Sequence, residues 1–535
     1  MSELVGETMQ RTSKNLVATL ILTLVVVLGA ASFTAAQNLG LENSKGKPEQ
    51  QESNNPGQDR FRFPVTPGTK EWRELQSHGE MLKATQIPRN ELVRLGTSAL
   101  LETVLDYPLL MDMLAYNSPQ AGFNALLENF NGLSELHSRR DVGRAALIRY
   151  RSSDAERKES LPLEKQGEIS FQLSFLEVLL AQDTVRDTLG TSETDQLLDE
   201  LVAKSKLKQD QFDLYGYQGL ESTAFAIGKL LNKKDKDFAV QVSQDFDLQQ
   251  FLAEGSASSA RTVNQILERS NAGTVLREPL SIFAADYYST VSTPQGTLVP
   301  VVVGGYELTS AQIASANAYV ADNYPLAVRE TDASRKYNCH SYAWHDQSTS
   351  NNKWMGSPGD DTYWNDGSYL STTSGVANRR VSYPASKDHS AIVYNSTTFR
   401  SKWGQLPRMR HAYSYCPYWS SGITLKYYSS YDFSPSPQTI VITRGATPYW
   451  DMYTSTSSGF RGTVSYYAIG LPGNQVLPGT GFSPQSVSIQ ADNVWYLSRL
   501  KIYTNSQTPR GNFAIRIEGR SGGKTVVRYI YLNII

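Results

Sequence analysis

Cysteine is nearly absent from this chain: two occur in 535 residues, Cys339 and Cys416. That excludes a disulfide-rich scaffold and any four-cysteine zinc module. Histidine is scarce as well, with six residues, and no His-x-x-x-His or Cys-x-x-Cys spacing occurs. Neither charge sign dominates: 51 Lys+Arg stand against 52 Asp+Glu, which gives no ground for wholesale nucleic-acid binding. Beyond residue 36 no apolar run is long enough to cross a bilayer, so a multispan membrane protein is excluded. What is present, 40% hydrophobic and 19% charged residues, is the composition of globular protein. At roughly 100–200 residues per domain, the length predicts about three to four domains.

The N-terminus points to export. Arg11 and Lys14 precede the apolar run Leu16–Ala31, which ends in the small-residue stretch Ala30–Ala36. This is the order of a secretory signal, with cleavage expected after Ala36. The alternative is an uncleaved anchor, because Leu16–Ala36 is long enough to span a bilayer and would keep the chain membrane-associated. Either reading places the rest of the chain in the cell envelope or outside it. Residues 37–60 hold almost no apolar side chains and read as a disordered spacer.

Three textures follow. Over 61–275 apolar residues recur three and four apart, as in Leu100–Leu105, Phe123–Leu133, Ile169–Leu180, Leu197–Val202 and Phe225–Leu231, which predicts an all-α N-terminal domain. His78 and His137 are isolated there and read as plain packing or surface residues. Over 280–430 the pattern is mixed. A strand-like run, Leu298–Val303, precedes a helix expected to be capped by Ser310 and to run to Asn323, and short strands and long loops follow. Over 432–535, seven strand-like runs separated by turn residues predict an all-β sandwich.

Both cysteines and four of the six histidines fall between 339 and 416. Cys339 opens an expected short helix, where the positive helix end and free N–H groups favour a thiolate. His389 opens the strand-like run Ser390–Val393, fifty residues on, from which an imidazole can take a thiol proton. That is the minimum apparatus of a cysteine-nucleophile amidase or peptidase.

The blocks Asn338-Cys339-His340-Ser341-Tyr342-Ala343 and His389-Ser390-Ala391-Ile392-Val393 resemble those of the papain-like bacterial amidases of the CHAP and NlpC types. The resemblance spans about 331–420 and implies an α+β papain-like domain, attack by cysteine on an amide, often in cell-wall peptide, Cys339 as nucleophile and His389 as base. Those families place a polar acceptor on the following strand to orient the histidine. Here that stretch carries Lys402, which cannot accept a hydrogen bond, leaving Ser401, Gln405 and His411 as candidates. The C-terminal run Gly459-Phe460-Arg461-Gly462-Thr463-Val464, with Gly470-Leu471-Pro472, Phe482-Ser483-Pro484 and Thr508–Phe513, resembles bacterial immunoglobulin-like modules of secreted enzymes, which implies a spacer or binding role.

Two other chemistries compete for the same residues. In an exported chain Cys339 and Cys416 could form a disulfide closing a long loop. A metal site drawn from Cys339, His340, His345, His389, His411 and Cys416 lacks recognisable ligand spacing, and no metal or cofactor is expected. Trp344, Trp354, Tyr363, Trp364, Tyr369 and Trp403 line either a substrate cleft or a small aromatic core. Asp360, Asp361 and Asp366 read as a solvated turn rather than a calcium loop. Residues 331–430 carry eleven Lys/Arg against six Asp, a local basic bias suited to an anionic wall polymer or acidic peptide. The expectation is an exported cysteine amidase or peptidase acting on peptidoglycan or another extracellular peptide. The alternative is a non-catalytic cell-surface or adhesion protein with a structural Cys339–Cys416 bridge.

Overall fold

Helical periodicity becomes helices, and a side-chain cap supplies an acceptor to the first turn of several of them. In the computed structural model, which describes residues 60–154, 160–256, 260–271, 287–373, 375–474 and 476–535, Ser77, Ser118, Asp235 and Asp245 each accept backbone N–H bonds at a helix start. The expected signal and nearly all of the expected spacer lie outside the described residues. Among those described, no helix is long and apolar enough to cross a membrane.

The long helices Leu163–Leu180, Thr191–Asp210 and Phe212–Lys234 pack on one another and form the centre of the N-terminal region. Their interface holds a buried ion pair, Lys208 Nζ to Glu177 Oε1 at 2.7 Å, with Tyr150, Ser222 and Thr223 also donating to the Glu177 carboxylate. Helix Ser310–Asn323 lies against Leu163–Leu180, at the close approach that Gly167 permits: a Cβ there would meet Ala311 O at 2.1 Å. Its cap is Thr309 and not Ser310, because Thr309 accepts from Gln312 N while Gln312 returns a bond to Thr309 N.

After residue 287 strands take over. Strands β1 (Tyr287–Ser292), β2 (Leu298–Val303) and β4 (Lys353–Trp354) form a small antiparallel sheet. Strands β3 (Val328–Arg329), β5 (Leu370–Thr372), β6 (Arg380–Ser382), β7 (Ser390–Val393), β8 (Thr398–Lys402), β9 (Arg408–Ala412) and β10 (Lys426–Ser429) form a seven-stranded sheet in the order β3-β9-β8-β7-β6-β10-β5. Strand β7 is buried along its whole length at the centre of this order. One face shares a continuous core with the helical region, so Val393, Phe399, Trp403 and Met409 pack in the same cluster as Leu176 and Phe225. Tyr337, Tyr342, Trp344, Tyr363, Tyr369 and Ile392 belong to a second cluster.

The remaining strands form two further sheets. Strands β11 (Asp432–Ser436), β13 (Tyr449–Ser455), β15 (Gly481–Ser483) and β17 (Tyr496–Lys501) make a four-stranded sheet. Strands β12 (Thr439–Ile442), β14 (Gly462–Ile469), β16 (Ser486–Ile489), β18 (Gly511–Ser521) and β19 (Lys524–Ile534) make a five-stranded one. Phe433, Trp450 and Leu500 from the first meet Val464, Ile517 and Ile530 from the second in a core of their own, as alternation in strands requires. The layout is therefore multidomain, helices first and mostly antiparallel sheets after, β12–β19 being a parallel pair.

Candidate functional site

Cys339 begins a helical turn whose first free N–H groups are met by Asn338. Asn338 Oδ1 accepts from Ser341 N at 3.1 Å and from Met355 N at 3.2 Å, and Asn338 O accepts from Tyr342 N at 3.0 Å. The turn widens to a π-type turn over Ser341–His345, closed by Asp346 N donating to Ser341 O at 2.9 Å. It packs on β6, β7 and β8. His389 stands immediately before β7, after Asp388, whose φ of 42° is in the left-handed region that few residues other than glycine, asparagine and aspartate tolerate.

His340 ties these two segments together. Its Nδ1 lies 3.0 Å from Asp360 Oδ2 and 2.8 Å from Ser390 Oγ. Its Nε2 lies 3.2 Å from Asp388 Oδ1, an ion contact off-line for a hydrogen bond. Burial alone would push the His340 pKa down, but the charges of Asp360, Cys339 and Asp388 overcome it and hold it well above the ordinary histidine value. The shift favours the protonated ring at His340, next to Cys339. Burial also acts to raise the Asp388 carboxyl, yet His340 and the Asn117 amide keep it below the usual range.

His389 is the opposite case. Its ring is stacked on Tyr418, centroids 3.5 Å apart and planes 9° apart, with Tyr383 edge-on at 4.9 Å. Among the described residues neither ring nitrogen has a hydrogen-bond partner, so Cys339 is not bonded to His389. Burial, with the nearby His411 and His340, drives the His389 pKa well below 6.5, so the ring is neutral. Tyr418 connects the pair: it stacks on His389 and lies within electrostatic reach of Cys339.

None of the three candidates for an orienting residue reaches His389. Ser401 Oγ and His411 Nε2 are 2.8 Å apart, and the Gln405 backbone N–H donates to Leu114 O at 2.8 Å. Lys402 gives its three ammonium protons to Ser334 O, Gly404 O and Leu406 O. Cys339 and Cys416 are both free and buried, so the structural bridge of the alternative reading is not formed. Cys416 lies 3.8 Å from Tyr383 Oη, and burial pushes its thiol up to about 12. Trp344, Tyr363, Trp364 and Tyr369 pack face and edge into one another, a core and not a cleft wall.

Sequence reasoning missed three residues of this site. Asp360 is buried on His340 and not solvated, a placement with no local signal in Gly-Asp-Asp. His340 entered the sequence reading only as a candidate metal ligand, and Asp388 only as the neighbour of His389. A fourth, Asn117, comes from the helical region: its Nδ2 donates to Asp388 Oδ2 at 2.5 Å and its Oδ1 accepts from Asn338 Nδ2 at 2.8 Å. Among the described residues no His/Cys/Asp/Glu group is arranged to hold a metal ion.

No protein-family model and no curated protein matches the chain. Among solved structures it is similar to that of the S-layer protein rSbsC(31-844), at 10% identity over 74% of this chain and 72% of that one, with a TM-score of 0.15. A structure of surface layer protein SbsC, domains 1-6, gives 10% identity over 75% and 72%, again with a TM-score of 0.15. Scores this low transfer neither fold nor function to this chain.

Proposed function

We propose that the chain is an exported cysteine hydrolase of amide bonds, with a papain-like region carrying Cys339 and His389 and an immunoglobulin-like C-terminal module. Peptidoglycan or another extracellular peptide is the substrate. The observation that supports this reading most is the His340–Asp388 ion contact: His340 follows Cys339 and Asp388 precedes His389, so the contact draws nucleophile and base to one place. Beside it, a neutral histidine keeps both ring nitrogens unused in a fully buried setting, where an unpaired polar atom costs about 1–3 kcal/mol.

In the reaction, a neutral His389 takes the Cys339 thiol proton and the sulfur attacks the amide carbon. The Cys339 and His340 backbone N–H groups, ahead of those bonded to Asn338, stabilise the oxyanion. The His389 proton passes to the departing amine, leaving a thioester. Water, deprotonated by His389, then releases the acid and restores the thiol. Stacking on Tyr418, in place of an acceptor, holds the imidazole plane. His340 and Asp360 are positioning residues.

A second reading, a non-catalytic cell-surface protein, is favoured by one observation: Cys339 and His389 are 0% and 1% exposed. Prolonged incubation with a peptidyl vinyl sulfone, followed by mass mapping, separates the two. A single adduct on Cys339, lost in His389→Ala, supports the hydrolase. No adduct on Cys339 in the folded chain, in wild type and in Asn117→Asp alike, supports the second reading.

A further inference from the structure

Residues 113–117 of the helical region bond to Asn338 and Asp388, which precede Cys339 and His389, and to Tyr418, which stacks on His389. This strap is suspended between two anchors. At one end the Asp112 carboxylate, itself buried, accepts from Tyr319 Oη at 2.8 Å, from Tyr324 Oη at 2.7 Å and meets His78 Nε2 at 2.9 Å. At the other end Ser118 caps helix Pro119–Asn129, accepting from Ala121 N at 3.1 Å, and donates to Glu254 at 2.5 Å. Between the anchors the strap meets the site through its main chain: Leu114 O accepts from Gln405 N at 2.8 Å and Ala115 O accepts from Tyr418 Oη at 2.5 Å. Gly404, at a φ of 52°, makes that approach feasible, since a Cβ there would lie 2.4 Å from both Leu114 O and Ala115 O.

The strap ends on Asn117, whose amide joins Asn338 to Asp388. It therefore bridges the residue before the nucleophile to the residue before the base. Asn117 and Asp388 are only half-buried, so this is the side from which solvent reaches the seal. A cavity of about 590 Å³ adjoins the strap, lined by Met113, Leu114 and Tyr116 and also by Gln405.

We propose that the strap is an intramolecular inhibitor that occupies the substrate's place, and that the groups now holding it are the peptide-binding subsite. Tyr418 Oη and the Gln405 N–H are donors to two successive carbonyls, those of Ala115 and Leu114 at the end of the 3-10 turn Leu110–Ala115, and the Asn338 and Asp388 side chains take a polar group next to them. The ligand class is a peptide main chain, and access to Cys339 requires the strap to move. This rests on the hydrolase reading for its purpose but not for its test.

The test is iodoacetamide labelling of the native full chain, with peptide mapping to follow Cys339 and Cys416 separately. Asn117→Asp removes the donor to Asp388 and sets a carboxylate against it. Cys339 labelling is expected to accelerate by about tenfold or more, the scale of losing a charge-assisted hydrogen bond, while Cys416 labelling stays at its wild-type rate. Tyr418→Phe, which deletes one O–H and keeps the ring stack, is read in the same way should Asn117→Asp not fold, with a smaller acceleration. An unchanged Cys339 rate, or equal acceleration at both cysteines, overturns the seal. Fast Cys339 labelling without peptide hydrolysis supports the seal and overturns the hydrolase reading. Hydrolysis by the wild type at the rate of Asn117→Asp overturns the seal and leaves that reading standing.

Discussion

Ser401 Oγ and His411 Nε2 lie 2.8 Å apart, and this bond removes both residues from the role of orienting His389. Strand register explains it. Phe399 on β8 faces His411 on β9, so Ser401, two residues further along, projects to the same side and meets the imidazole diagonally. Trp403 Nε1 donates to the same hydroxyl at 3.0 Å, and His411 Nδ1 donates to Ala412 O at 2.8 Å. Ser401→Ala is therefore expected to cost about 1–3 kcal/mol of stability by leaving buried donors and acceptors unmet. Urea unfolding measures the loss, and adduct formation at Cys339 per folded molecule should stay unchanged.

Legibility followed the range of the interaction. Apolar periodicity marked the helices around Leu176 and Phe225, and alternation marked β12, β14 and β18, because each of those elements is specified within its own ten or twenty residues. Cys339 and His389 were legible for the same reason, as a helix start and a strand start. The Asn117 clamp and the burial of Asp360 were not, since each depends on a partner brought in by tertiary packing, from over two hundred residues away in the case of Asn117 and Asn338. The join between the helical region and the seven-stranded sheet was invisible too, because a shared core has no sequence boundary.

Acid should weaken the fold before it protonates most carboxylates. Burial lowers His389 well below 6.5 and His411 to about 4, so below pH 6.5 the unfolded chain binds protons that the native state refuses. Stability then falls with falling pH, by about 2 kcal/mol between pH 7 and 5 for His411 alone. His340, raised in the native state, contributes stability that is full below 6.5 and is lost as pH rises from there through its folded pKa, so between pH 7 and 6 it offsets part of this trend. Urea melts at pH 7 and 5 are the check, and His411→Phe should flatten the dependence.

Asp360→Asn should discharge His340. With that carboxylate gone, burial acts on the imidazole against fewer opposing charges, and its pKa should drop toward or below the ordinary value. Histidine ring NMR across a pH series reads this directly. A His340 titration unmoved by the substitution would mean that Asp388 and Cys339 suffice to hold the proton.

Lys208→Met tests the helical region independently of the site. It leaves the Glu177 carboxylate buried without its cation, which costs about 3–5 kcal/mol. Thermal and urea unfolding should show the helical signal lost at lower denaturant. A cost under about 1 kcal/mol would mean that the Tyr150, Ser222 and Thr223 hydroxyls carry the carboxylate unaided.

The central claim, amide hydrolysis at Cys339, is tested most directly by release of soluble amines from purified peptidoglycan sacculi and from a broad peptide mixture. The measurement compares full-length Asn117→Asp with Asn117→Asp/Cys339→Ala. The account expects steady release by the first and none above background by the second. Equal release by both, or no release by the first while its Cys339 labels rapidly, would contradict it.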